Sequence, residues 1–224
     1  MQLNFSVAID GPAGAGKSTI AKLLSKRFNL MYINTGAMYR TIALKAIKKQ
    51  IKPEEIEKLC LLTDSLEMHF NDDRLIVNNE DVTDFINDPF ISQNVSQYAA
   101  IPEIRERLVK LQQQMSNKYN VVMDGRDIGT VVLKNAAFKF FLTAAPEERA
   151  KRRYDELVAK GLEVNYDSIL SDIIKRDYVD SHREASPLVK AEDAIEVDSS
   201  YLSIDQVVDK MTDYIVNTMN SISK

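Results

Sequence analysis

The segment from residue 9 to residue 19 reads Ile-Asp-Gly-Pro-Ala-Gly-Ala-Gly-Lys-Ser-Thr and decides how the rest of the chain is interpreted. It contains the pattern G-x-x-x-x-G-K-[ST] in full. Glycines in such a loop let backbone N–H groups converge on phosphate oxygens, and the positive end of a following helix adds to the attraction. The residues expected to bind nucleotide phosphates are Gly11, Pro12, Ala13, Gly14, Ala15, Gly16, Lys17, Ser18 and Thr19.

The surroundings of this segment decide between two interpretations of it. The alternative to a phosphate loop is an ordinary glycine-rich turn beside a surface lysine. The apolar run 5–9 predicts a buried strand before the loop. Ile20, Leu23, Leu24 and Phe28 fall on one face of a helix after it. A loop placed between a strand and a helix favours phosphate binding, with Lys17 reaching the outer phosphates.

Strand and helix signals alternate along most of the chain. Further short apolar runs predict strands at 31–33, 121–123, 138–142 and 194–197. Amphipathic helices are expected at 36–49, around 104–115, from Pro146, and from a capping box formed by Ser203 and Gln206. This alternation is typical of a parallel sheet covered by helices on both faces. Residues 65–86 break it and predict a small antiparallel meander inside an α/β chain.

The composition fits one domain that carries an insert. The chain has 224 residues, of which 45% are hydrophobic and 28% charged, so neither a disordered chain nor a coiled-coil rod is expected. The single cysteine, Cys60, excludes a disulfide within the chain, and the two histidines add no zinc motif. Neither a secretory signal nor a membrane helix is predicted, which favours a cytoplasmic protein without a membrane partner.

Charge is distributed unevenly along the sequence. The formal net charge is −4, which does not favour a nucleic-acid partner. One C-terminal region is nevertheless strongly basic, and its members are Arg149, Lys151, Arg152, Arg153, Lys175, Arg176 and Arg183. This combination indicates a small anionic ligand. No unpaired apolar stripe suggests an oligomer, so a monomer is expected.

A carboxylate follows the predicted strand 121–123. In phosphate-loop proteins an acid at the end of such a strand lies beside Mg²⁺. We therefore expect Ser18 to ligate the ion directly and Asp124 to act on it through water. Because many strands end in Asp, this second assignment depends on the fold.

The remaining motifs narrow the kind of phosphate-loop protein. A guanine-reading N-K-x-D motif is lacking, since residues 117–120 read Asn-Lys-Tyr-Asn. Residues 9–19, 34–40 and 124–130 together resemble the bacterial cytidylate (CMP) kinases, nucleoside monophosphate kinases of the P-loop class. The pair Arg176-Asp177, followed by Asp180, Arg183 and Ser186-Pro187-Leu188, carries the same resemblance. The blocks Thr-Gly-Ala-Met-Tyr-Arg and Asp-Gly-Arg-Asp-Ile-Gly-Thr are its most specific parts.

The resemblance implies a fold and an activity. The implied fold is a three-layer α/β P-loop core with a central parallel sheet, a small α/β NMP-binding insert and a helical lid. We place the core at 1–58, 96–148 and 184–224, the insert at about 59–95 and the lid at about 149–183. The implied reaction transfers the γ-phosphate of ATP, with Mg²⁺, to CMP or dCMP in pyrimidine nucleotide metabolism.

The resemblance also assigns site residues. The implied catalytic residues are Lys17, Arg126, Arg176 and Arg183. The implied substrate-binding residues are Thr35, Tyr39, Arg40, Ser96, Arg105, Arg126, Asp127, Arg176, Asp180 and Arg183. Guanidinium groups suit phosphate because they bind it in a bidentate way. The spacing of Arg176, Asp180 and Arg183 predicts one shared helical face, which an exposed ion-pair ladder would also explain.

Ser96, Arg105 and Asp127 match the positions that contact the base. Asp127 would accept from the amino group of cytosine and would face the carbonyl of uracil unfavourably. Three alternatives stay open at this point. They are a kinase for UMP or another phosphate acceptor, a regulatory nucleotide-binding protein, and, least favoured, a nucleic-acid-binding module.

Overall fold

The structure is a computed structural model that describes residues 5–222, so residues 1–4 and 223–224 of the predicted core lie outside it. Its strands are β1 (Ser6–Asp10), β2 (Met31–Asn34), β3 (Met68–Asn71), β4 (Arg74–Val77), β5 (Glu80–Asp81), β6 (Val121–Gly125), β7 (Phe138–Thr143) and β8 (Ile195–Asp198). Five of them form a parallel sheet in the order β2-β6-β1-β7-β8. The other three form a small antiparallel sheet.

Eight helices surround these sheets in the described part of the chain. They are α1 (Lys17–Phe28), α2 (Thr35–Lys48), α3 (Ile56–Asp64), α4 (Pro89–Ala99), α5 (Pro102–Lys118), α6 (Pro146–Ala159), α7 (Tyr166–His182) and α8 (Ile204–Ile222). A 3₁₀ turn at Phe85–Asn87 and a π-helical turn at Ile128–Val132 complete the regular structure.

The parallel sheet is buried between two hydrophobic clusters. Val7 and Ile9 of β1 pack in one cluster with residues of α1 and α8, whereas Ala8 packs in the other with residues of α2 and α5. Successive strand residues point to opposite faces, so a strand covered on both sides is apolar along most of its length. This arrangement confirms the predicted three-layer α/β fold.

The predicted meander is present at β3–β5. Asn78 and Asn79, between β4 and β5, both have positive φ angles of 47° and 64°. Two consecutive residues in this region make the tight turn that antiparallel hairpins favour, and asparagine adopts it readily. Phe70 and Leu75 face each other across the first pair and are buried in the α2–α5 cluster. The small sheet therefore continues the core on one side of the molecule.

Helix boundaries differ from the predictions where caps decide them. The helix predicted from Gly36 begins at Thr35, because the Asn34 side chain accepts a hydrogen bond from the Ala37 N–H and so caps it. Ser203 and Gln206 form the predicted reciprocal capping box at the start of α8.

Gly11 shows why the loop after β1 needs glycine. Its φ is +148°, and a Cβ atom at this position would lie 1.9 Å from the carbonyl oxygen of Leu142 on β7. The backbone of the loop therefore approaches the neighbouring strand more closely than any side chain permits. The first glycine of the motif is required by packing before any ligand is considered.

Candidate active site

The phosphate loop lies between the end of β1 and the start of α1, as the sequence predicts. Gly11, Gly14 and Gly16 all have positive φ angles. Lys17 is the first residue of α1, and its Nζ donates a 2.6 Å hydrogen bond to the carbonyl oxygen of Pro12. Burial, reinforced by the nearby Arg126, holds the pKa of Lys17 well below its usual value. A buried cation in this position gains most from a negatively charged partner.

Ser18 and Asp124 meet beside this loop. The Ser18 hydroxyl donates to Asp124 Oδ2 at 2.8 Å, and the Tyr32 hydroxyl donates to Asp124 Oδ1 at the same distance. A hydroxyl and a carboxylate are the hard oxygen ligands that Mg²⁺ prefers. Within residues 5–222 no group of three or more His, Cys, Asp or Glu side chains could hold a metal. One direct protein ligand, Ser18, with the Asp124 carboxylate acting through water, fits Mg²⁺, which keeps several waters and takes phosphate oxygens.

A cleft of about 190 Å³ extends from the phosphate loop between α2, α4 and α7. Every residue predicted to bind the acceptor lines it, although segments that are far apart in the sequence supply them. These residues are Thr35, Tyr39, Arg40, Ser96, Arg105, Arg126, Asp127, Arg176, Asp180 and Arg183. Lys17, Ser18 and Asp124 line the same cleft at its loop end.

The middle of the cleft is rich in guanidinium groups. Burial lowers the pKa of Arg40 and brings that of Arg176 to about 10. The buried Nε atoms of both have no hydrogen-bond partner among residues 5–222. Arg126 Nε lies 2.8 Å from Asp180 Oδ2, and although burial opposes the charge of Asp180, Arg126 and Arg176 hold its pKa below the ordinary value. The excess of buried positive charge suits an anion with several oxygens.

The prediction of one shared helical face is wrong for Arg183. Arg176 and Asp180 belong to α7, which ends at His182, and Arg183 adopts an extended backbone with φ −65° and ψ 145°. Its Nε donates to the carbonyl oxygen of Ser186 at 2.7 Å. The alternative of an exposed ion-pair ladder also fails, because the Asp180 side chain is only 8% and that of Arg183 only 6% exposed. Arg183 reaches the cleft from the segment after the helix.

The far end of the cleft presents a buried ion pair. Arg105 Nη2 lies 2.5 Å from Asp127 Oδ2, while its Nη1 donates to the carbonyl oxygen of Ala99 at 2.9 Å. The Arg105 guanidinium also lies over the Tyr39 ring, 5.0 Å from the ring centre. Ser96 of α4 lines the same end. This end therefore offers a carboxylate acceptor, a guanidinium donor and a hydroxyl.

A second cleft of about 630 Å³ lies on the other side of the phosphate loop, between α6 and the start of α8. The far wall of this cleft was not predicted from the sequence, and it is formed by Ser199, Leu202, Ser203, Ile204 and Val207. A signal was available, because polar residues follow β8 at the carboxyl end of a parallel sheet, where ligands bind.

The basic residues of α6 have different surroundings. Arg149 is buried and donates to the carbonyl oxygen of Ala13 at 2.9 Å. Arg152 donates to the carbonyl oxygen of Ser199 at 2.5 Å, whereas the exposed Lys151 pairs with Asp155. Arg149 and Arg152, but not Lys151, line the second cleft.

The parallel sheet, the phosphate loop and two clefts that meet at Lys17 define a P-loop kinase. Solved structures share this fold. A shikimate kinase from Bacteroides thetaiotaomicron gives a TM-score of 0.50 at 13% identity, covering 94% of this chain and 98% of that one. A gluconokinase from Sinorhizobium meliloti gives 0.50 at 12% identity, covering 100% and 98%. At these identities the likeness shows the fold alone.

Sequence comparison gives the family. The model of the cytidylate kinase family matches residues 7–217. The cytidylate kinase of Clostridium perfringens is 62% identical over 94% of this chain and 97% of its own. The cytidylate kinase of Clostridium acetobutylicum is 62% identical over 96% and 98%. The chain belongs to the cytidylate kinase family.

Proposed function

We propose that this enzyme transfers the γ-phosphoryl group of ATP to CMP or dCMP and releases ADP with CDP or dCDP. The observation that carries the proposal is the first cleft. It begins at Lys17, passes the guanidinium groups and ends at the Arg105–Asp127 pair. A nucleoside monophosphate fits this order. Its phosphate would lie among the guanidinium groups next to the phosphate loop, and its base would lie at the Arg105–Asp127 pair.

The donor phosphates bind at the loop from Gly11 to Thr19. Backbone N–H groups and Lys17 surround the β- and γ-phosphates, and the second cleft leaves room for the rest of ATP. Ser18 would hold Mg²⁺ directly and Asp124 through water, with Tyr32 orienting the carboxylate. Held by these residues, the ion would supply positive charge that neutralises the negative charge developing during transfer.

The acceptor is activated by position and electrostatics alone. A phosphate oxygen of CMP is already ionised near neutral pH, so no general base is needed. It attacks the γ-phosphorus in line with the bond to the β-phosphate oxygen, and ADP leaves. Arg126, Arg176 and Arg183 neutralise the groups that approach each other, while Arg40 holds the acceptor phosphate and Asp180 accepts from a ribose hydroxyl.

The base is read at the far end of the cleft. Asp127 accepts from the exocyclic amino group of cytosine, and Arg105 and Ser96 complete the contacts. Uracil presents a carbonyl oxygen at the same position, so two acceptors would face each other. The Arg105–Asp127 pair holds the carboxylate in place, which makes this discrimination strong.

The predicted division into core, insert at about 59–95 and lid at about 149–183 belongs to the same proposal. α6 and α7 pack together and are joined through Gly161, whose φ is +76°. Closure of this hairpin over bound ATP would exclude water and favour transfer over hydrolysis.

The setting of the enzyme is also proposed. We infer that it acts in the cytoplasm as a monomer and without a nucleic-acid partner. The net charge of −4 supports the last of these, because it does not attract a polyanion. None of the helices between residues 5 and 222 has the length and apolar character needed to cross a membrane.

Measuring ADP formation with separate acceptors tests the function. ATP and Mg²⁺ are supplied with CMP, dCMP, UMP, AMP or GMP. We expect fast turnover with CMP and dCMP, slow turnover with UMP and none with the purines, and loss of all activity when EDTA removes Mg²⁺. Equal rates with CMP and UMP would contradict the base readout. ATP binding without acceptor-dependent turnover would favour a regulatory protein.

A further inference from the structure

Asp10 is the last residue of β1, directly before the phosphate loop, and lines neither cleft. Its carboxylate is buried. Oδ1 accepts a hydrogen bond from the Ile128 N–H and Oδ2 accepts one from the Gly129 N–H, both at 2.7 Å. A buried carboxylate costs free energy unless strong hydrogen bonds compensate it. Burial raises the pKa of Asp10 to about 6, and the two backbone bonds counteract that rise.

These two bonds cap a turn that begins beside the acceptor site. The N–H groups at the start of a helical turn have no partner within it, and a carboxylate there also meets the positive end of the turn. The π-helical turn Ile128–Val132 starts one residue after Asp127. Asp10 therefore fixes the backbone on which Arg126 and Asp127 stand, although it is more than a hundred residues away in sequence.

Gly129 is closely packed at this contact. A Cβ atom built on Gly129 would lie 3.3 Å from Asp10 Oδ2 and 3.2 Å from Cδ of Lys139. Both distances are tighter than ordinary side-chain contacts. The absence of a side chain at Gly129 is what lets its N–H reach Asp10.

We propose that Asp10 is a positioning residue that sets the place of Arg126 and Asp127 relative to the phosphate loop, and thereby governs acceptor affinity and base preference. The inference rests on the proposed function, because it takes CMP as the acceptor. Arg126 reaches Asp180 and Asp127 reaches Arg105, so a shift of this segment changes both the phosphate end and the base end of the cleft.

The phosphate loop, which binds the donor, depends less on the carboxylate of Asp10 than the segment with Arg126 and Asp127 does. The backbone of Asp10 is paired with Gly125 on one side and Phe141 on the other, whatever its side chain does. The carbonyl oxygen of Ala13, farther along the loop, is held by Arg149. Loss of the carboxylate should therefore weaken use of the acceptor more than use of ATP.

Asp10→Asn tests the inference with little change in volume. The amide oxygen keeps one N–H bond, while the amide nitrogen faces the other N–H. We expect KM for CMP to rise about tenfold or more, because misplacement of a site by about 1 Å costs up to about 10²-fold. The ratio of kcat/KM for CMP over UMP should fall at least about threefold, with KM for ATP changed less than about twofold.

Gly129→Ala disturbs the same contact from the other side. The variant keeps the negative charge of Asp10, and this charge acts on Lys17. A change in KM for CMP in this variant would therefore come from altered positioning and not from a changed charge near the phosphate loop. We expect the same selective rise in KM for CMP, smaller than in Asp10→Asn. If Asp10→Asn fails to fold, Gly129→Ala decides the question by itself.

Thr63→Val is the control for a general loss of stability. Thr63 is buried in α3, away from both clefts, and its hydroxyl bonds the Leu59 carbonyl. It should lower the Tm without separating the two KM values. Equal rises of KM for CMP and ATP, or a change in Tm alone, in the variants at Asp10 and Gly129 would overturn the inference. Failure of the unaltered enzyme to phosphorylate CMP would instead overturn the proposed function, and the inference with it.

Discussion

Lys17→Met is expected to lower kcat by about 10²- to 10³-fold, the effect of removing one group that stabilises developing charge. Lys17 is buried at the junction of the two clefts, where the phosphoryl group is transferred from one nucleotide to the other. Methionine has a similar length and no charge. Because the site already disfavours the ammonium group, an apolar side chain should not unfold the protein.

Steady-state kinetics with CMP and calorimetric titration of CMP into the variant measure this prediction. Binding of CMP should change little, since the arginines and the base end of the cleft remain. Lys22→Met is the matched control, because Lys22 is also in α1, but its side chain is 45% exposed and pairs with Asp73. A kcat for Lys17→Met within about threefold of the parent would contradict the assignment of Lys17.

Asp127→Asn should reduce the preference for CMP over UMP by about 10- to 10²-fold, since one well-formed base contact contributes about 1–3 kcal/mol of discrimination. The amide can accept from Arg105 through its oxygen and donate to the uracil carbonyl through its nitrogen. The variant should therefore gain activity with UMP as well as lose activity with CMP. The measurement is kcat/KM for both acceptors.

Asp127→Ala separates the two parts of this effect. It removes the acceptor without offering a donor, so CMP activity should fall while UMP activity gains nothing. It also leaves the buried Arg105 without its partner, which should destabilise the fold by about 3–5 kcal/mol. Asp64→Asn is the control, because Asp64 is an exposed carboxylate that also pairs with an arginine, Arg107. An unchanged preference in Asp127→Asn would show that another group reads the base.

Local patterns predicted most of the core and the loop within it. The sequences of β1 and β6 are mostly apolar because helices cover both faces of the sheet. An apolar run of this kind can be recognised in a single sequence. The resemblance to the cytidylate kinases assigned ten residues to the acceptor, and all ten line one cleft. α4 was not predicted, although Asp88 caps it and Pro89 occupies its first turn, a usable signal for a helix start.

Contacts between distant segments could not be predicted in this way. The bond from Ile128 to Asp10 joins two segments that no periodicity relates. The hydrogen bond from Tyr32 to Asp124 is of the same kind, since it depends on β2 lying beside β6. Arg183 was misplaced because the i, i+4, i+7 spacing assumes that the helix continues past His182, whereas the backbone becomes extended at Arg183 itself, with ψ 145°.

In the proposed function the two clefts bring a donor and an acceptor nucleotide together for direct transfer of the γ-phosphoryl group. Incubation with ATP labelled at the γ-phosphate, CMP and Mg²⁺, followed by separation of the products, tests it. The label should appear in the β-phosphate of CDP, with one CDP formed for each ADP. Label released only as inorganic phosphate, at a rate independent of CMP, would contradict it.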